Sequence, residues 1–358
     1  MRIFIRTDAS HTIGAGHVMR CLSLAENLRD KGADITFLCR KLPGDLNEFI
    51  KHLGFDICLL TSSPSMNQNS QSPWLYSSWK QDALETIQMI RKGNIDWLII
   101  DHYGLDRGWE RAVRPYVKYV MVIDDLANRR HDCDLLLDQN LFKHPEKRYT
   151  DLVPPHAITF CGPQYLLLRE EFKNINRTKT RDGYVRRILI SFGGSDPTNE
   201  TLKAVRAIQF INHPDIHVDV VIGSSNPHSA SIEHQCKNTP NIKIHTDIHC
   251  LAELMMQADL SIGAGGSTTW ERCFVSLPSI TIEVSRNQSE ILSYLSELGV
   301  IYHLGMSKHV NERKIAQAIQ QLITSPAQVR TMVKASRNIM KDFKHGVVAQ
   351  YIMEGMEV

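Results

Sequence analysis

The chain reads as an α/β protein of two doubly wound, Rossmann-like domains facing each other across a cleft, and three observations carry that reading. Short aliphatic runs alternate with segments whose apolar residues recur at helical spacing, the pattern of a parallel sheet covered by helices. This pattern occurs twice, restarting at Arg187. Between the halves, residues 169–186 are charge-rich and nearly free of aliphatic side chains, which marks a linker. At 358 residues the chain accommodates two cores, at about 150 residues per domain. The expected division is 1–168, linker 169–186, second domain 187–335 and a C-terminal helix in 336–358.

The elements follow in order. Ile3 to Arg6 is the first strand, and Ile13-Gly14-Ala15-Gly16 turns into a helix whose Val18, Cys21, Leu22, Leu24, Ala25 and Leu28 share one face, with Gly32 as its stop. Ala33 to Cys39 and Phe55 to Leu60 are strands, and Thr61 to Pro73, rich in Ser, Asn and Gln, reads as a loop. Lys80 to Lys92 is a helix. Trp97 to Ile100 and Tyr119 to Ile123 are strands ending at Asp101-His102-Tyr103 and Asp124-Asp125, where open α/β sheets hold their ligands. Cys133 to Leu137, with Asp138 after it, and Ala157 to Cys161 complete the first half. In the second half, Arg187 to Phe192 is a strand, Gly193-Gly194-Ser195-Asp196 a turn and Thr198 to Phe210 a helix. Strands at Val218 to Ile222, Ile242 to His245, Leu260 to Ile262 and Ser279 to Glu283 follow, with helices at Leu251 to Gln257 and Gln288 to Leu298. The C-terminal 50 residues read as entirely helical.

Composition narrows the function. With 41 Lys and Arg against 39 Asp and Glu, the formal charge of +2 lacks the basic excess of a nucleic-acid binder. The eight cysteines show no CxxC and no regular spacing, so neither a disulfide framework nor a zinc site is expected, and a reduced interior fits. Arg2, Arg6, Asp8 and His11 interrupt the place where a signal peptide keeps its apolar run, and no stretch approaches the roughly 18 apolar residues that span a bilayer. The expectation is a soluble, cytoplasmic monomer without a nucleic-acid or membrane partner.

Three segments carry candidate chemistry. In the first, Gly14 and Gly16 permit close backbone approach, and the helix start offers N–H groups to an anion. It is no dinucleotide fingerprint, because Met19 stands where GxGxxG requires glycine. His17 sits at a helix N-terminus, which disfavours an added positive charge and suits a proton acceptor; a histidine merely bonded to a neighbour is the structural alternative. Asp8 could orient His17, bind sugar hydroxyls or satisfy the turn. The second segment, Gly193-Gly194-Ser195-Asp196, can wrap a phosphate or a base, yet without GK[ST] it is no Walker loop. The third is Gly263-Ala264-Gly265-Gly266-Ser267-Thr268-Thr269-Trp270-Glu271. Ser267 and Thr268 can cap the next helix or donate to a diphosphate, and Glu271 falls where a carboxylate reaches a ribose diol. Asn287 and Gln288 follow a strand end and can complete a polar pocket. Asp101, His102, Tyr103, Asp124 and Asp125 line the substrate pocket or cap locally. Paired aspartates alone are thin support for a metal, and neither HExxH nor GxSxG occurs.

In this order, Arg6-Thr7-Asp8, Ile13-Gly14-Ala15-Gly16-His17-Val18-Met19-Arg20, Asp101-His102-Tyr103, Asp124-Asp125, Gly193-Gly194-Ser195-Asp196, Gly265 through Glu271 and Asn287-Gln288 resemble the UDP-2,4-diacetamido-2,4,6-trideoxy-β-L-altropyranose hydrolase family of pseudaminic acid biosynthesis. That family is itself similar to glycosyltransferases of the GT-B fold. The resemblance implies His17 as the residue that positions and deprotonates a water attacking C1, with inversion and release of UDP, and gives Asp8 a catalytic place beside it. It implies substrate contacts from Arg6, Gly14, Gly16, Arg20, Tyr103, Gly194, Ser195, Gly266, Ser267, Thr268, Glu271, Asn287 and Gln288. No cofactor or metal is implied, and the C-terminal helix is expected to return to the first domain. A UDP-sugar glycosyltransferase, a hydrolysing 2-epimerase using Asp101 or Asp124, and a non-catalytic nucleotide-sugar binder remain as rival readings.

Overall fold

A computed structural model describes residues 1–61, 74–173, 175, 179–237, 239–246 and 251–355. The loop expected from Thr61 to Pro73 lies, beyond Thr61, outside the described residues. The chain divides into two compact units, Met1–Glu170 with Lys344–Val358, and Glu171–Phe343.

The first unit is a parallel sheet of β1 (Arg2–Thr7), β2 (Asp34–Arg40), β3 (Asp56–Leu60), β4 (Ile95–Asp101), β5 (Val117–Ile123), β6 (Leu135–Asp138) and β7 (Ile158–Cys161), in the order β3-β2-β1-β4-β5-β6-β7. Its helices are α1 (Gly16–Asp30), α2 (Asn47–His52), α3 (Trp79–Ile90) and α4 (Arg107–Val113). Successive strand residues point to opposite faces, and here both faces are covered, which is why the strands read as unbroken aliphatic runs. Ile3, Ile5, Trp97 and Ile99 pack with Leu24 and Leu28 of α1, whereas Phe4, Leu98 and Ile100 pack on the other face with Ala83 of α3 and Trp109 of α4. Ser78 caps α3 by accepting from Gln81 N at 3.2 Å, and Asp106 caps α4 by accepting from Gly108 N at 2.8 Å.

The second unit repeats the plan with β8 (Arg187–Ser191), β9 (His217–Ile222), β10 (Ile242–Thr246), β11 (Leu260–Ala264), β12 (Ser279–Glu283) and β13 (Ile301–Met306), ordered β10-β9-β8-β11-β12-β13 and parallel throughout. Around it lie α5 (Glu200–Ile211), α6 (Ser229–Cys236), α7 (Leu251–Gln257), α8 (Thr268–Phe274), α9 (Ser289–Glu297), α10 (Glu312–Thr324) and α11 (Pro326–Ile339). A last helix, α12 (Val347–Glu354), belongs to the first unit, where Val348, Ala349 and Ile352 join the apolar layer under α1.

Strand β13 was not expected. It is an edge strand with only two fully buried side chains, Ile301 and Leu304, so its apolar signal is weak. Its register against β12 shifts between Thr281 and Glu283, beside Gly305 at φ 89°. No described helix is long and apolar enough to cross a membrane, and the seven described cysteines are free thiols.

Candidate functional site

In the first sheet the strand order reverses between β1 and β4, the place where open α/β sheets bind ligands. Thr7 and Asp101 are partners across that pair, so the turn after β1 and the residues after β4 emerge side by side. Ser10 builds the turn: its hydroxyl accepts from Thr12 N at 3.2 Å and Ile13 N at 3.0 Å, while its carbonyl accepts from Gly14 N at 2.8 Å. A Cβ added at Gly14 or Gly16 meets no atom within 4 Å, so both leave backbone accessible to a ligand.

The turn delivers His17 onto Asp101, with Nδ1 2.5 Å from Oδ1. Arg20, one helical turn on, grips the same carboxylate through Nε at 2.5 Å and Nη2 at 2.7 Å, and reaches Asp125 with Nη1 at 2.9 Å. Burial alone would raise the Asp101 pKa, but Arg20 and then His17 hold it well below the carboxylate range. An ionised carboxylate only accepts, so the proton between them resides on Nδ1, which leaves Nε2 as the ring nitrogen able to carry a lone pair. Such an arrangement can serve a general base, because a fixed carboxylate behind the ring stabilises the cation formed on proton uptake. Tyr103 packs edge-on to the imidazole at 4.4 Å and bonds through its hydroxyl to Asp125; burial and then Asp125 push its pKa up.

Sequence reasoning offered Asp8 as a partner of His17, a binder of sugar hydroxyls or a ligand of the turn, and Arg6 as a substrate contact. The structure instead buries both below the turn. Arg6, with no exposed surface, donates to Asp8 at 2.8 Å and to Asp82 at 2.7 Å; Asp8 also accepts from Arg40 N at 2.7 Å. Burial opposes ionisation of Asp8, yet Arg6 and His102 hold its pKa far down. Asp101, not Asp8, contacts the histidine, and Arg20 spans Asp101 and Asp125. Nothing in the local sequence pairs His17 with a residue 84 positions away; only strand-end placement hinted at Asp101.

Asp138, at the end of β6, behaves oppositely. Burial pushes its pKa up to about 7, with Asp125 adding to the rise, against bonds from Asn140 N, Arg148 and Tyr149. Because the folded pKa lies above the unfolded value of about 3.9, the fold holds this proton more tightly, and stability falls as pH rises from about 4 through 7. Asp138→Asn is expected to flatten that decline. Thermal unfolding of both proteins between pH 5 and 8 checks it; parallel pH profiles would refute it.

In the second sheet the reversal lies between β8 and β11, and there the two glycine-rich loops emerge. Their glycines divide by environment. At Gly193, Gly194 and Gly266 an added Cβ meets nothing within 4 Å. At Gly263 it would meet Arg272 Nη1 at 2.4 Å, and at Gly265 the Leu292 Cδ1 at 2.4 Å, so these two serve packing. Asp196 caps α5, accepting from Glu200 N and Thr201 N at 2.9 Å each, and Ser195 beside it is half-buried. Ser267 is exposed and makes no capping bond, so of the two roles open to it, cap and diphosphate donor, the first is not taken; Thr268 opens α8, and Glu271 is buried within it. Asn287 is exposed, whereas Gln288 closes its own turn by accepting from Val284 N at 3.0 Å. Sequence reasoning missed Arg272, a fully buried cation beneath the loop. Among the described residues no three His, Cys, Asp or Glu side chains are grouped to hold a metal.

Residues 188–347 match the glycosyltransferase family 28 C-terminal domain. The uncharacterized protein MJ1062 of Methanocaldococcus jannaschii is 27% identical over 297 residues, 81% of this chain, which spans only 57% of that protein. The UDP-2,4-diacetamido-2,4,6-trideoxy-beta-L-altropyranose hydrolase of Campylobacter jejuni is 27% identical over 302 residues, 84% of this chain and 97% of that one. Among solved structures, the spinosyn rhamnosyltransferase SpnG is similar with a TM-score of 0.69 at 14% identity, over 99% of this chain and 100% of that one. The fold is thus a pair of Rossmann-like α/β domains of the GT-B type.

Proposed function

We propose that this chain displaces UDP from the anomeric carbon of an amino-sugar nucleotide, using a hydroxyl nucleophile that His17 deprotonates. The observation that carries this reading is the His17–Asp101 pair at the strand reversal of the first unit, with Nδ1 fixed on a carboxylate and Nε2 left as the base. Nε2 takes the nucleophile's proton as its oxygen attacks C1, the C1–O bond breaks with inversion, and the electron pair leaves with the diphosphate. UDP is already a good leaving group, so placement of the base and stabilisation of the departing charge supply the catalysis. The second unit holds the nucleotide: backbone N–H groups at Gly194, Ser195, Gly266 and Ser267 face the diphosphate, and Glu271 takes the ribose diol.

Two nucleophiles fit this chemistry. Transfer to an alcohol acceptor is favoured by the match of residues 188–347 to a glycosyltransferase domain and by the transferase names of solved neighbours. Transfer to water, which would make the chain a UDP-2,4-diacetamido-2,4,6-trideoxy-β-L-altrose hydrolase in the pseudaminic acid pathway, is favoured by the C. jejuni relative, matched over nearly its full length. Incubation with that UDP-sugar, followed by anomeric proton NMR and UDP quantification, separates them. Free sugar of inverted configuration matching UDP one for one supports hydrolysis, and UDP release only on adding an acceptor supports transfer. If the protein neither binds UDP nor releases it, the reading fails.

Glu271→Ala is expected to weaken UDP binding roughly ten- to hundredfold, the worth of a charge-assisted hydrogen bond. Binding of 2′-deoxy-UDP should change little, and calorimetric titration of both ligands checks the assignment. Equal losses for the two would remove Glu271 from the ribose.

A further inference from the structure

Arg272 lies in the middle of α8 and is almost wholly buried. Its Nη2 donates to the Ala264 carbonyl at 2.6 Å and to Thr269 Oγ1 at 3.0 Å, bracing the loop from inside. Among the described residues its Nε and Nη1 have no hydrogen-bond partner and it forms no ion pair, although the charge of the neighbouring Glu271 acts on it. A Cβ at Gly263 would meet both the guanidinium, 2.4 Å from Nη1, and the Ser191 carbonyl oxygen, at 2.5 Å, in the Ser191–Gly263 strand pair at the carboxyl end of the sheet. Burying a lone cation is strongly unfavourable, and burial lowers the Arg272 pKa to about 10. The adjoining helix has only seven residues, so its dipole is a weak source of positive potential. A bound polyanion beside the loop would supply the missing counter-charge.

Resting on the nucleotide-holding role given above to the second unit, we propose that Arg272 is the buried counter-charge of the pyrophosphate site, and that it positions the Ala264–Ser267 loop for phosphate contact. It is a positioning residue, acting through the loop it braces and the field it projects.

The test is titration of UDP, UMP and uridine into the full chain and its R272M and R272K variants, with thermal unfolding of each. R272M is expected to weaken UDP at least tenfold, UMP less and uridine within twofold, since only phosphate senses the charge. Its ligand-free melting temperature should match or exceed wild type, because removing an unpaired buried cation removes a desolvation penalty. R272K, which keeps the charge without the fork, should fall between wild type and R272M for UDP, and it carries the test alone should R272M not fold. Uridine weakened as much as UDP, or UDP affinity unchanged in both variants, overturns the proposal. A wild-type protein that binds no UDP defeats the nucleotide reading itself before any variant is compared.

Discussion

Replacing His17 with asparagine is expected to slow UDP release by roughly 10²–10⁴-fold while leaving UDP affinity within about twofold, because general-base catalysis is lost and nucleotide contacts are not. Asparagine keeps a polar side chain beside Asp101 but has nothing to accept a proton at the position of Nε2. Asp101→Asn should cost a similar factor by another route. An amide can donate to Nδ1, which moves the ring proton to Nε2 and removes the lone pair that faces the nucleophile. It also deprives Arg20 of the carboxylate that two of its nitrogens grip. If the pair acts as one device, the double variant is scarcely slower than His17→Asn alone. Losses that multiply would mean that the two residues act independently, and full activity of Asp101→Asn would dissolve the pair. Steady-state kinetics of the three variants decides this.

What the sequence carried was local and periodic. Short apolar runs placed twelve of the strands, because the sheets are covered by helices and the runs are therefore continuous. The edge strand Ile301–Met306 lacks that continuity and was overlooked. At the site, Gly14-Ala15-Gly16-His17 could be read as a unit because turn, helix start and histidine are contiguous. The partner of His17 could not, since Asp101 arrives through strand pairing of β1 with β4. Composition gave Gly263, Gly265 and Gly266 equal standing, although two fill packing contacts and one is open, a distinction set by Arg272 and Leu292. Arg6 and Asp8 looked like ligand-facing polar residues for the same reason: nothing in a strand-end sequence says that a charge points down into a buried network.

That network supports the largest expected stability effect. Asp82, wholly buried in α3, accepts from Arg6 at 2.7 Å, from Arg40 at 2.8 Å and from Trp109 Nε1 at 2.9 Å, tying three elements to one carboxylate. Burial disfavours its charge, but Arg6 and then Arg40 hold its pKa below the usual range. Asp82→Ala strands donors that no water can reach, at a cost of about 3–5 kcal/mol, against a typical domain stability of about 5–15 kcal/mol. Asp82→Asn should cost less, since its carbonyl still accepts from Trp109. The same logic sets the acid limit. Asp8, Asp82 and Asp101 all titrate below their unfolded value of about 3.9, so their stabilisation is present above that pH and lost as pH falls through the folded values. The wild-type first unit should therefore unfold progressively below about pH 4, and Asp82→Asn should show a shallower acid limb. Circular dichroism melts from pH 2.5 to 7 measure both effects; an Asp82→Ala protein melting with wild type would show that Arg6 is held by Asp8 alone and Arg40 by Glu85, which accepts from its Nη2 at 2.8 Å.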